Sequence, residues 1–186
     1  MKFSPSLSLL ATAFALAAGA AQAQVYMEAT LGAGKVNGQC RGLSNCESSD
    51  LDSRLSLGYL ISPNAGMEFS WLDYPTVKAG DAVNGARVKL SGPAFGGVYR
   101  HPLTDSVSLN LRGGLAWNQG KASVWENQRE VLKSRQRSAQ PYFGLNATYA
   151  FNETYAVGLG VDFTRAKLEN ERANIRSFNL VGRSTF

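Results

Sequence analysis

Eight separate stretches between Val25 and Phe186 alternate apolar and polar side chains with a period of two, and no helical period persists over several turns in that span. A period of two sends successive side chains to opposite faces of an extended backbone, so each stretch reads as a strand with one apolar and one polar face. The runs are 25–33, 51–61, 66–74, 86–100, 105–117, 141–151, 154–164 and 174–186. In the first, Val25, Met27, Ala29 and Leu31 alternate with Tyr26, Glu28 and Thr30. The fourth reads as Val88, Leu90, Ala94 and Val98 on the apolar face against Arg87, Lys89 and Ser91. Pro93 has no amide hydrogen to donate to a ladder, so this run predicts a bulge over Ser91, Gly92 and Pro93.

The connections between runs fall into two alternating kinds. SPNAG, HPLTD and NET are tight turns built from Pro, Asn, Asp and Gly. Between them come KVNGQCRGLSNCESSD, PTVKAGDAVNG, NQGKASVWENQREVLKSRQRS and RAKLENERA, which read as long loops. Strict alternation puts all tight turns at one end of the strands and all long connections at the other. The fold class that follows is all-β, an eight-stranded antiparallel up-and-down barrel.

Period two does not say which face points inward. A secreted lipocalin-like barrel lines its interior with apolar residues, whereas a transmembrane barrel turns them out to lipid. Strand runs of this length suit the second, because a tilted spanning strand needs roughly 9 to 11 residues. Trp71, Tyr74, Trp117, Tyr149, Phe151, Tyr155, Phe163 and Phe186 fall near strand ends, where a bilayer has its interfaces. Glu28, Asp52, Glu68 and Asp162 share the polar face with Arg54, Lys89, Arg112 and Arg183. Four acids against four bases in a narrow lumen predict an interior ion-pair network, since an isolated buried charge is very costly. Closure also requires the final run to pair with the first, because a sheet in lipid leaves no edge open.

The first residues are of another kind. Lys2, the apolar run from Leu7 and the small-x-small Ala21-Gln22-Ala23 predict a secretory signal peptide over residues 1–23, with the barrel domain over 24–186. Export to an oxidising compartment makes the pair Cys40 and Cys46 a candidate disulfide that staples a small loop. One histidine and two cysteines supply no metal-ligand set, and no cofactor is expected.

Together these features resemble the small bacterial outer-membrane β-barrels of the OmpA-like and OmpX-like kind. The resemblance covers residues 24–186 and implies residence in the outer membrane of a Gram-negative bacterium among lipid and lipopolysaccharide. In such barrels the terminal aromatic strand is read by the barrel-assembly machinery; Phe178, Leu180, Gly182 and Phe186 match that pattern, while Ser184 stands where an apolar residue is usual.

Chemistry is sparse. An enzyme acting on lipid A would need a base beside a nucleophile at the outer leaflet, and the single His101 sits in a short turn at the opposite end. The segment from Lys121 to Arg137 carries Lys121, Arg129, Lys133, Arg135 and Arg137 against Glu126 and Glu130, with Trp125 among them. This basic, aromatic segment is the candidate binding region for lipopolysaccharide phosphates or for a host or surface ligand. The net charge of +5 is scattered over loops and lumen, which with export argues against nucleic acid. The expectation is a monomeric, non-enzymatic envelope barrel with a lumen filled by its own side chains.

Overall fold

The computed structural model describes residues 24–37, 46–47, 49–80, 84–126, 129–168 and 171–186, and most of them are extended. The strands are β1 (Gln24–Asn37), β2 (Cys46–Glu47), β3 (Ser49–Leu60), β4 (Ala65–Asp73), β5 (Val77–Gly80), β6 (Gly85–Pro102), β7 (Val107–Glu126), β8 (Arg129–Ala150), β9 (Tyr155–Leu168) and β10 (Glu171–Thr185). Leaving aside the short β2 and β5, eight long strands pair in the cyclic order β1, β3, β4, β6, β7, β8, β9, β10, and all pairings are antiparallel. The β1–β10 ladder runs from Tyr26 opposite Thr185 to Asn37 opposite Asn174. Beyond it, the Phe186 amide donates to the Val25 carbonyl at 2.8 Å, so the final aromatic residue is held by the sheet.

Three tight turns at one end follow from local chemistry. The Asn152 side-chain oxygen accepts from the amides of Thr154 and Tyr155, Thr104 caps Val107 in the same way, and Ser62 caps Ala65. At the other end the described residues of the expected long loops are largely strand. β7 and β8 continue as a hairpin through Glu126 and Arg129, and β9 and β10 reach Leu168 and Glu171. Alternation fades there because both faces are solvated, while the backbone ladder needs no apolar face to continue. β5 pairs with the start of β6, and Gly80, at φ 97°, supplies the left-handed residue where β5 ends.

The apolar faces point outward. Phe178 and Leu159 are 74% and 66% exposed, and Leu31, Leu57, Phe69, Trp71, Leu115, Trp117, Phe143 and Tyr155 are exposed with them. A lipocalin-like interior is thereby replaced by its inverse.

β6 departs from the sequence reading. Leu90, Ala94 and Val98 are buried in the lumen, whereas Lys89, Phe95 and Tyr99 face out. The strand carries apolar residues on both faces, and the outer face takes its aromatic pair. Lys89 therefore lies outside the lumen. The bulge at Pro93 is absent too: Ser91 pairs with Gln119 and Ala94 with Ala116 in one unbroken register, and Pro93 merely interrupts the β6–β7 ladder. The register shift in the described ladders falls instead between Val124 and Trp125.

Candidate functional site: the lumen and the long-connection end

Inward parity on successive strands brings Glu28 from β1, Arg54 from β3, Glu68 from β4, Arg112 from β7, Asp162 from β9 and Arg183 from β10 to the barrel axis. Glu28, fully buried, is the hub. Its Oε1 accepts from Arg54 at 3.0 Å and from Arg112 at 2.6 Å, and its Oε2 accepts from Arg183 Nη2 at 2.7 Å and Nε at 3.1 Å. Arg112 also donates to Glu68 at 3.0 Å, and Arg54 to Asp162 at 2.6 Å. Three acids and three bases thus close a neutral set.

Neutral side chains complete the hydrogen bonding. Tyr26 donates to Glu68 at 2.8 Å and lies under the Arg183 guanidinium, whose carbon is 4.6 Å from the ring centroid. Asn146 accepts from Arg112 at 2.9 Å, Asn110 accepts from Arg183 at 2.9 Å, and Asn179 donates to Asp162 at 2.6 Å. Their places on the polar parity mark them in the sequence, although charge alone does not single them out. Charges buried so deeply are tolerable only because each is paired and hydrogen-bonded several times over.

Apolar layers bracket the network. Tyr26, Leu60 and Val98 cluster toward the tight turns, and Val36, Leu72, Tyr74, Leu90, Ala94, Ala116, Tyr142 and Ile175 cluster toward the long connections. Asp52 is buried on the same parity as Arg54, without an ion pair among the described residues. Arg100, missed through the reversed parity of β6, faces the tight-turn mouth of the lumen and lines with Arg183 a cavity of about 580 Å³. Its register opposite Asn110, a lumen residue, is the sign that places it.

Of the other predicted residues, Phe178, Leu180 and Gly182 share the outward face of β10, and Phe186 follows them, exposed. Lys121, Arg129, Arg135 and Arg137 are exposed on the β7–β8 hairpin; Trp125 and Lys133 lie on its backbone. Cys46 opens β2, and Cys40 and residues 1–23 lie outside the described residues. His101 is exposed at the end of β6 beside a tight turn.

Comparison with known families adds one decisive match, to the outer membrane protein β-barrel domain, over residues 6–182. The chain belongs to that family. Among solved structures, this outer-membrane barrel is similar to Ail of Yersinia pestis in complex with the heparin analogue sucrose octasulfate. That match has a TM-score of 0.59 and 12% identity, over 89% of this chain and 99% of that one. It is similar also to neisserial surface protein A (TM-score 0.58, 19% identity, 87% and 95% covered). OprG of Pseudomonas aeruginosa matches with a TM-score of 0.58 and 14% identity, covering 89% and 96%. At these identities the likeness is one of fold. No curated protein sequence matches the chain at a level that shows relationship.

Proposed function

We propose that this outer-membrane barrel is a monomeric, non-enzymatic envelope protein whose lumen is closed to solutes and whose basic extracellular hairpin engages anionic surface ligands. The observation that carries this reading is the Glu28-centred network, which joins side chains from six of the long strands across the axis between two apolar layers. Eight strands enclose an interior that side chains can fill, and a network spanning the axis between apolar layers supports a lumen closed to solutes.

Outer-membrane barrels place short turns in the periplasm and longer connections outside the cell, so the β7–β8 hairpin is extracellular. Its cations Lys121, Arg129, Arg135 and Arg137 are exposed, which suits sulfated or phosphorylated partners. Ail has been seen with a heparin analogue bound, and the same class of polyanion fits the charge here. The exposed position of His101 at the periplasmic end leaves the outer leaflet without a histidine base, in keeping with a non-enzymatic role rather than lipid A modification. In this reading residues 1–23 are the export signal, Phe178, Leu180, Gly182 and Phe186 present the assembly signal, and Cys40 and Cys46 form a disulfide.

The test is twofold, on protein refolded into planar bilayers and vesicles. Steady conductance near zero, rising when Arg112→Ala opens the network, together with retention on immobilised sucrose octasulfate that Arg129→Gln/Arg135→Gln weakens, is the expected result. A wild-type barrel that conducts steadily, or one that binds the polyanion equally well without those cations, refutes it.

A further inference from the structure

Over Gly32 of β1 two buried acceptor oxygens converge on one point. Gly32 lies opposite Asp52 of β3 on one side and opposite Asn179 of β10 on the other, so the three stand in one row across the seam where the barrel closes. With no side chain between them, the flanking groups lean together. Asn179 Oδ1 occupies the place that a Cβ of Gly32 would take, and Asp52 Oδ1 is 2.8 Å from that place. Asp52 and Asn179 are only 9% and 5% exposed. The Asp52 carboxylate is hydrogen-bonded to Ser177, yet its Oδ1 has no partner, and neither has Asn179 Oδ1. Turning the Asn179 amide does not mend this, because its nitrogen donates to Asp162 at 2.6 Å and the turn would set oxygen against carboxylate. Buried acceptors left in this way need a donor or a cation between them.

The charge balance of the lumen selects a cation. Arg54, Arg112 and Arg183 are matched by Glu28, Glu68 and Asp162, which leaves Asp52 without a base among the described residues. Asp50, two residues nearer the long connections on the same parity, is partly buried and accepts from the Leu51 amide. Arg100, an inward base outside the matched set, stands with Arg183 at the opposite mouth. The extracellular half of the lumen therefore carries two acids in excess, where an isolated carboxylate is costly. Asp162 accepts from both Arg54 and Asn179 through one oxygen, Oδ2, and its side chain is 26% exposed, so there is room for water beside the row.

We infer that this row is a binding site for a hard divalent cation, with Asp52 Oδ1 and Asn179 Oδ1 as protein ligands and with Asp50 and Asp162 supplying charge beside it. Calcium fits the donor set, because it takes carboxylate, amide and water oxygens in a flexible shell of about six to eight. Its two charges match the two acids in excess, whereas a proton or a sodium ion leaves one of them unmet. Bound there, the ion joins β3 to β10 across β1 and clamps the first and last strands where they meet. Such a clamp is separate from the proposed function and needs neither the closed lumen nor the basic hairpin.

The test is equilibrium dialysis of the full barrel, in phosphatidylcholine vesicles, against radioactive calcium at about 1 mM, where extracellular calcium sites fill. Urea unfolding is run in parallel. The expected result is one calcium ion per wild-type barrel, with affinity weakened about tenfold or more in Asp52→Asn and in Asn179→Ala. Asp105→Asn, at an exposed periplasmic turn, should bind as the wild type does. Calcium should raise the urea midpoint of the wild type and leave that of Asp52→Asn unmoved. A wild type that binds no calcium at about 10 mM overturns the site and assigns the two oxygens to a shared proton or water. Equal binding by Asp52→Asn overturns it too, by marking scattered surface carboxylates. Asp52→Asn preserves volume, and a heat-dependent gel shift shows that each variant is folded. Absence of that shift in the wild type would refute the membrane barrel itself, which a failed calcium site leaves standing.

Discussion

Replacing Glu28 by Gln removes one charge and no volume from the centre of the lumen. The wild-type carboxylate receives Arg54, Arg112 and Arg183 at 3.0, 2.6 and 2.7 Å, and it is fully buried. Glutamine keeps one oxygen acceptor but turns an NH2 toward one of the two guanidinium-lined sides, so donors face donors and the six-charge set is left at +1. Breaking one partner of a buried ion pair costs about 3–5 kcal/mol, and Glu28→Gln should fall in that range. Removing a matching cation restores neutrality, so Glu28→Gln/Arg183→Met should be less damaged than the sum of its single variants by at least about 1 kcal/mol. Urea unfolding in lipid vesicles, followed by tryptophan fluorescence and by the heat-dependent gel shift, measures both. A loss below about 1 kcal/mol in Glu28→Gln, or strict additivity in the pair, would refute the view that the network is a coupled unit.

Two further substitutions probe the packing of the lumen. Tyr26 lies flat over Gly58, its register partner on β3, and a Cβ there would come within 2.0 Å of the ring; Gly58→Ala should therefore cost about 1–3 kcal/mol in the same unfolding assay, by driving the ring away from Glu68 and Arg183. The facing of β6 is checked by Leu90→Lys against Lys89→Gln: an unpaired ammonium in the apolar cluster of Val36, Leu72, Leu90 and Ile175 should cost more than about 2 kcal/mol, whereas Lys89→Gln should stay within about 0.5 kcal/mol. Equal effects of the two would reverse the assigned parity.

Most of the architecture is legible along the chain because a membrane barrel repeats one local rule. Seven of the eight runs show the side facing lipid by parity alone, as Phe69 and Trp71 do on β4 and Leu57 and Tyr59 on β3. β6 is the exception because Val88, Leu90, Ala94 and Val98 alternate as cleanly as Pro93, Phe95 and Tyr99 do, and period two is symmetric between faces. Only its pairing with β7, which sets Arg100 beside Asn110 and Lys89 beside Lys121, breaks the tie. Lys89 was misplaced and Arg100 overlooked for the same reason. The β7–β8 hairpin was hidden differently: from Lys121 to Arg137 both faces are polar, so hydrophobic alternation loses its signal while backbone hydrogen bonds carry the strand onward.

The amino-acid sequence by itself determined the number and order of the long strands, through alternation and the types of connecting turn, and it pointed the apolar faces outward through strand length, aromatics at strand ends and charge on the polar face. Which carboxylate meets which guanidinium was decided by the tertiary structure alone. Glu28 and Arg183 are 155 residues apart and meet because closure places β10 beside β1. Arg112, 84 residues from Glu28, arrives across the barrel axis from β7. Alternation is a property of neighbours along one strand, whereas an ion pair in a lumen depends on register and strand tilt summed around the whole ring.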